Sequence, residues 1–290
     1  MSNNEQTKYN KIEGINFSLL KEYHKSPMHF KYAIDNPRQS TDAQTLGTLV
    51  HSMVLEPHTI DDDFTVMDMS KRPDPTKDFR SQENKLWKQQ LIEESAHHNR
   101  ALVDVEVYAQ AKAMADSVLS NPVIKSLIDR ATIEKGIMWT DPVTKLKCKG
   151  RPDAFIEEKN LIIDLKTTIS AHPSEFQKSI WNYRYHEQAA FYSMGLKALY
   201  GADKFDKFLF IAVENKAPYC SATYFLSPNA LDVGWVTCQS LLNLHKKCVD
   251  ANDWSQGYEV LADHKSGIMD LDLPAYAYKK QEDDELTEKY

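Results

Sequence analysis

Apolar positions at helical spacing dominate the first 130 residues, and short β-rich runs begin after them. Ala154-Phe155-Ile156 and Leu161-Ile162-Ile163 are two such runs, separated by the polar Glu157-Glu158-Lys159-Asn160, a pattern that predicts a hairpin. Side chains alternate faces along a strand, so Asp164 and Lys166 point the same way while Leu165 points into the core. Asp153, at the start of the partner strand, can approach them across the ladder. Two carboxylates and an ammonium thereby collect at one end of a sheet.

The remaining elements follow in order. Phe17, Leu20 and Tyr23 have helical spacing, with Asn16 or Ser18 as cap. Ser26-Pro27 ends that helix or opens the next, which carries Phe30 and Ile34. A helix over 41–56 is apolar at Leu46, Leu49, Val50, Met53 and Val54 and stops at Pro57. Gly47 inside it costs up to about 1 kcal/mol relative to alanine, which predicts a close backbone approach there. A short strand near 64–66 leads to a loop with Lys71, Arg72, Lys77 and Arg80, a candidate phosphate contact. Helices are expected over 81–96, 104–119 and 123–128. Residues 131–140 read as one strand and 145–149 as its return, giving with the hairpin a three-stranded antiparallel core. One long helix is expected over 174–200, capped by Gly201. Strands at 207–214 and 219–226 complete a five-stranded sheet, and a helix over 228–249 starts at the Ser227 cap. The fold class expected is α/β: a mixed central β-sheet flanked by helices, the long helix lying over one face. Residues 1–10 are expected to be loose, 11–252 to form one domain (a helical part over 11–130, a core over 131–252), and 253–290 to be an extension with a charged tail.

Composition narrows this picture. The chain has 290 residues, 42% of them hydrophobic, enough for a large core. No run reaches the length of a membrane span, and the polar start Met-Ser-Asn-Asn-Glu-Gln lacks a signal-peptide pattern, so a cytoplasmic location is expected. Cys148, Cys220, Cys238 and Cys248 are scattered without a C-x-x-C, which disfavours zinc or disulfides and predicts buried free thiols. The net charge of −7 argues against a partner held by a broad basic surface; a nucleic-acid path would be a local basic strip.

The chemistry centres on Asp153, Asp164 and Lys166. Carboxylate oxygens suit Mg²⁺ or Mn²⁺, and a lysine beside them can balance charge on a phosphate. The plain alternative is a surface ion pair of small energetic weight. Gln188 and Tyr192 lie one helical turn apart on a shared face, with Tyr185 on a similar side.

Gly150-Arg151-Pro152-Asp153 followed by Asp164-Leu165-Lys166 resembles the PD-(D/E)xK nuclease superfamily. Gln188-Ala189-Ala190-Phe191-Tyr192 resembles the Q-x-x-x-Y motif of its RecB-like branch. Gly47-Thr48-Leu49-Val50-His51, continuing into Met53 to Pro57, is similar to the C-terminal nuclease domain of RecE-type exonucleases (exonuclease VIII). The likeness covers about residues 12–250, and four motifs in order make it specific. It implies a restriction-endonuclease-like core with added N-terminal helices. It implies a Mg²⁺-dependent exonuclease, Mn²⁺ substituting, that degrades linear duplex DNA from 5′ ends and leaves a 3′ strand for a single-strand annealing protein. A ring-shaped homo-tetramer, a recombination or repair role and a phage or prophage setting are also implied. His51, Asp153, Asp164 and the Leu165 carbonyl would hold metal, and Lys166 would position or deprotonate the attacking water. Glu134 would join the site, and Gln188, Tyr192, Tyr185 and Arg151 would meet DNA. The chain departs from many relatives in having Asp164 where they have Glu, and it lacks the cysteine group of the iron–sulfur members. Two alternatives are a structure-specific or single-strand endonuclease of the same superfamily, and a non-catalytic DNA-binding module.

Overall fold

The computed structural model describes residues 12–37, 42–74, 76, 81–261, 266 and 268–273. In chain order these form α1 (Phe17–Leu20), α2 (Pro27–Asp35), α3 (Asp42–Leu55), α4 (Ile60–Asp63), β1 (Phe64–Met67), α5 (Gln82–His97), β2 (Ala101–Asp104), α6 (Val105–Leu119), α7 (Pro122–Ile128), β3 (Thr132–Ile133), β4 (Ile137–Thr140), β5 (Lys147–Gly150), β6 (Ala154–Ile156) and β7 (Leu161–Thr168). They continue with α8 (Pro173–Asn182), α9 (Tyr185–Tyr200), β8 (Lys207–Glu214), β9 (Ser221–Phe225) and α10 (Pro228–Ala251). The expected loose segment 1–10, Lys77 and Arg80 of the basic loop, and the tail beyond 273 lie outside the described residues.

Five strands form the central sheet in the order β3-β6-β7-β8-β9. Only β7 and β8 are parallel; the other pairs are antiparallel, so the sheet is mixed and the fold is α/β as expected. Strand alternation divides the core in two. Leu161, Ile163 and Leu165 of β7, with Leu209, Ile211 and Val213 of β8, pack against Leu49 and Val50 of α3 and Met114 of α6. Ile162, Phe208 and Phe210 face the other way, onto Phe176 of α8, Phe191 of α9 and Leu242 of α10. Each side chain so buried contributes about 1.5–3 kcal/mol. The two clusters fix the register of β7, because a one-residue slip would exchange its faces.

Of the alternatives the sequence left open, Asn16 rather than Ser18 caps the first helix, and Ser26-Pro27 opens the next. Asn16 accepts the amide of Leu19 at 2.9 Å, and Ser26, followed by Pro27, accepts that of His29. Ser227 likewise caps α10. Gly234 lets α10 cross α9 closely: a Cβ there would collide with the His186 carbonyl oxygen.

Four expectations need correction. Residues 131–140 are not one strand. Glu134 adopts a left-handed φ of 48° and breaks the run, leaving β3 in the main sheet, while β4 pairs with β5 in a separate ribbon. The ribbon packs on α9, with Trp139 and Phe191 rings 4.9 Å apart. Helix 174–200 is also two helices, split at Tyr183-Arg184, where Arg184 takes φ 61°. Cys220 is exposed, unlike the other three thiols. Finally, residues after Asn252 do reach the core, since Trp254 packs on it and donates to the Tyr23 hydroxyl at 3.0 Å.

Candidate active site

The site forms where β6 and β7 open toward α3 and α9. The backbone between β5 and β6 carries Arg151 and Asp153, and Glu134 hangs from the break after β3. The Glu134 amide donates to the Asp153 carbonyl at 2.9 Å, which brings their side chains together. Asp153 Oδ2 accepts the Leu165 amide at 2.7 Å and lies 3.5 Å from His51 Nδ1. His51 Nε2 is 2.7 Å from the Leu165 carbonyl oxygen. A carbonyl can only accept, so Nε2 carries a hydrogen, and in the neutral imidazole Nδ1 is then the nitrogen whose lone pair faces the carboxylates. His51, Glu134 and Asp153 each offer a ligand atom within 4.8 Å of the others.

Asp164 stands outside that trio. It is buried beside Lys166, whose Nζ lies 2.6 Å from Oδ2, yet neither of its oxygens has a hydrogen-bond donor aligned on it. Lys166 Nζ also donates to Gln188 Oε1 at 2.9 Å and stands 4.7 Å above the Tyr185 ring. Gln188 in turn donates to the Tyr192 hydroxyl at 3.2 Å. The one-turn spacing of Gln188 and Tyr192 thus builds a chain of contacts ending on the ammonium. Gly150 makes room for it, because a Cβ there would press to 3.2 Å from the Tyr192 ring.

The charges do not balance. Burial first, then the Asp153 charge, push Glu134 up to about 7, against the lowering pull of Arg151. Burial likewise lifts Asp164 to about 7, opposed by Lys166 and reinforced by Asp153. Burial draws Lys166 down, but Asp164, Asp153 and Tyr185 favour its charged form, and its value ends above that of free lysine. Among these carboxylates alone, Lys166 therefore holds its proton. Three carboxylates face Arg151 and Lys166, an excess of negative charge that a divalent cation would cancel. One imidazole nitrogen, two carboxylates and a buried carboxylate without aligned donors suit Mg²⁺ or Mn²⁺.

The structure brings His51, Asp153 and Glu134 together, with Asp164, Lys166, Gln188, Tyr185 and Tyr192 beside them. The Leu165 carbonyl, expected to offer metal an oxygen, accepts from His51. Arg151, expected at DNA, engages Glu134 at 2.8 Å. Gly47 needs no close approach: a Cβ there would make an ordinary 3.5 Å contact with Thr167. Sequence reasoning passed over Glu187, buried next to Gln188, which meets His24 at 2.6 Å, Arg184 at 3.6 Å and His186 at 3.7 Å. Its only signal was a carboxylate inside the buried face of α9.

This carboxylate–lysine arrangement agrees with a family match over residues 16–261, described as a PDDEXK-like domain of unknown function (DUF3799). The chain belongs to this PDDEXK-like family. A solved structure from Eubacterium rectale, provisionally described as an exonuclease, shares the fold at a TM-score of 0.59 and 13% identity, over 94% of each chain. A second, SSO0001, is 16% identical over 69% of this chain and 86% of that one, at a TM-score of 0.29. No curated protein sequence matches the chain. PDDEXK-like membership supports a nuclease.

Proposed function

We propose that the protein is a divalent-metal-dependent deoxyribonuclease that works as an exonuclease on linear duplex DNA, from 5′ ends. The observation that carries the hydrolytic reading is the partly buried Lys166 ammonium, held by Gln188 and Asp164 beside the His51, Glu134 and Asp153 donor set. A divalent cation on those donors supplies Lewis acidity at the scissile phosphate. His51 and Asp153 are preset for it, each fixed through the backbone of Leu165.

Lys166 is placed to neutralise charge on the phosphate and to position or deprotonate the attacking water. Gln188 fixes the ammonium and Tyr192 fixes Gln188. The exonuclease polarity, the ring-like homo-oligomer, the annealing partner and a role in recombination or repair rest on the RecE-type likeness. So do one catalytic domain over 11–252 and Mg²⁺ as the metal. A cytoplasmic location rests on the polar start and the lack of a membrane-length apolar run. Among the described residues no helix is long and apolar enough to cross a membrane.

Digestion of linear against covalently closed circular duplex, with Mg²⁺, Mn²⁺ or chelator, tests this. Loss of linear DNA alone supports the exonuclease; cutting of circles makes it an endonuclease. No hydrolysis with any metal leaves a DNA-binding module.

A further inference from the structure

The break between α8 and α9 places one aromatic ring between two clefts. A cavity of about 490 Å³ extends from the catalytic end of β7; Leu46, Thr167, Thr168, Lys178 and Tyr185 line it. A second, of about 400 Å³, is lined by Lys21, Glu22, His24, Lys25 and Arg184. Asn182 and Tyr183 belong to both. Tyr183 is 58% exposed and its ring lies 5.5 Å from that of Tyr185, the ring beneath Lys166 Nζ. Ile169, 75% exposed, stands on the rim of the first cavity.

The two clefts differ in charge. In a chain of net charge −7, the second gathers Lys21, Lys25, Arg184 and His24 over two carboxylates: Glu22, which pairs with Lys25 at 2.8 Å, and the buried Glu187, which meets His24 at 2.6 Å and Arg184 at 3.6 Å. Three permanent cations against two carboxylates leave a local surplus of positive charge, of the kind a polynucleotide backbone needs on an otherwise acidic chain. An exposed aromatic face between a catalytic lysine and a cationic notch has the two parts of a single-strand site. One is a platform for the base, the other a positive groove for the backbone.

We infer that an unpaired stretch of the DNA strand crosses from the Lys166 site over Tyr185, stacks a base on Tyr183, and sets its next phosphates in the notch of Lys21, Lys25 and Arg184. This rests on the nuclease reading and adds to it the state of the substrate: the strand is unpaired where it passes Tyr183, because inside a duplex both faces of a base are covered by its stacked neighbours. Duplex ends with a few unpaired nucleotides are then bound better than blunt ends.

The experiment measures binding without cleavage, in Ca²⁺ and in chelator. The probe is a short oligodeoxythymidylate carrying one 2-aminopurine, whose fluorescence falls on stacking. Tyr183→Ala is expected to weaken binding by at least about five-fold and to abolish the quench, while Tyr183→Phe and Tyr183→Trp keep both. Lys21→Gln and Arg184→Gln should each lower the slope of log affinity against log salt by about 0.7, with the quench retained. Thermal melting of every variant separates loss of fold from loss of contact. Tyr183→Ala binding within about two-fold of wild type, with an unchanged quench, overturns the inference. If the wild type cuts linear DNA in that case, the nuclease reading stands alone. If it binds through Tyr183 but cuts nothing, the strand path stands and the nuclease reading falls. If it neither binds nor cuts, both fall.

Discussion

The Asp153 carboxylate accepts the backbone amide of Leu165 at 2.7 Å, across the hairpin that joins β6 to β7. One oxygen is thus spent on holding the strand that carries Asp164 and Lys166, while the charge remains available to the cleft. Asparagine can keep the acceptor and remove the charge. Asp153→Asn should therefore match or exceed wild-type melting without metal, since it relieves Glu134 and Asp164. Asp153→Ala should melt lower, having lost a hydrogen bond of about 1 kcal/mol. Both should lose the Mg²⁺-induced rise, which in wild type reaches about 2.7 kcal/mol at a hundredfold excess over the dissociation constant. A full Mg²⁺ shift in Asp153→Asn would remove Asp153 from the metal site.

The raised carboxylates set a pH dependence whose sign can be worked out. Glu134 and Asp164 move from 4.5 and 3.8 in a free chain to about 7 when folded. The folded state then binds more protons than the unfolded one between these limits. Their contribution to stability is present below about pH 4 and is lost as pH rises through about 7. Metal-free protein should accordingly lose melting temperature across that window relative to Glu134→Gln. The stabilisation given by Mg²⁺ should grow across the same window, because the cation displaces those protons. Calorimetric titration in buffers of different ionisation enthalpy would show proton release near pH 6. Its absence would mean that neither carboxylate is a ligand.

The β6–β7 hairpin, its face assignments and the Ser227 cap were legible, and the Asn16 cap was one of two candidates, because local rules govern them: alternation, turn polarity, and a side-chain acceptor before a helix. The breaks at Glu134 and Arg184 were not. Both are non-glycine residues with positive φ, a conformation that composition signals poorly and that tertiary contacts impose. Each break serves the site. Glu134 turns toward Asp153 because β3 ends there, and α9 presents Gln188 and Tyr192 because Arg184 redirects it. The separation of Asp164 from the His51 trio was equally hidden, since same-face placement on a strand does not say which neighbour a carboxylate meets.

His51 ties α3 to β7 through the Leu165 carbonyl and offers Nδ1 to the cleft. His51→Ala should cost about 0.5–1.5 kcal/mol in metal-free stability, the worth of one hydrogen bond. It should weaken Mg²⁺ binding further, with Mn²⁺ restoring more activity than Mg²⁺ because Mn²⁺ binds nitrogen–oxygen sites with less demanding geometry. Unchanged activity at limiting Mg²⁺ would make His51 a packing residue alone.

Lys166 and Asp164 give the sharpest separation of structure from chemistry. Lys166→Met keeps much of the stem but removes the cation that opposes burial of Asp164. An unpaired buried carboxylate would cost about 3–5 kcal/mol, unless Asp164 takes up a proton. Its folded pKa should therefore climb above about 7, and Lys166→Met should be close to wild type in stability at low pH and fall behind as pH rises. Adding Asp164→Asn should restore the loss at high pH, since the amide carries no charge to strand. Turnover of linear duplex should drop at least about 10²-fold in Lys166→Met, at the scale of a missing positioned proton-handling group, and the double variant should not recover it. DNA affinity in Ca²⁺ should change far less, one phosphate contact among many being a small share of the total. Stability rescued by Asp164→Asn while turnover stays low would assign the ion pair to folding and the ammonium to catalysis. Wild-type turnover in Lys166→Met would end the catalytic role of Lys166, and equal melting of the single and double variants at high pH would end the structural one.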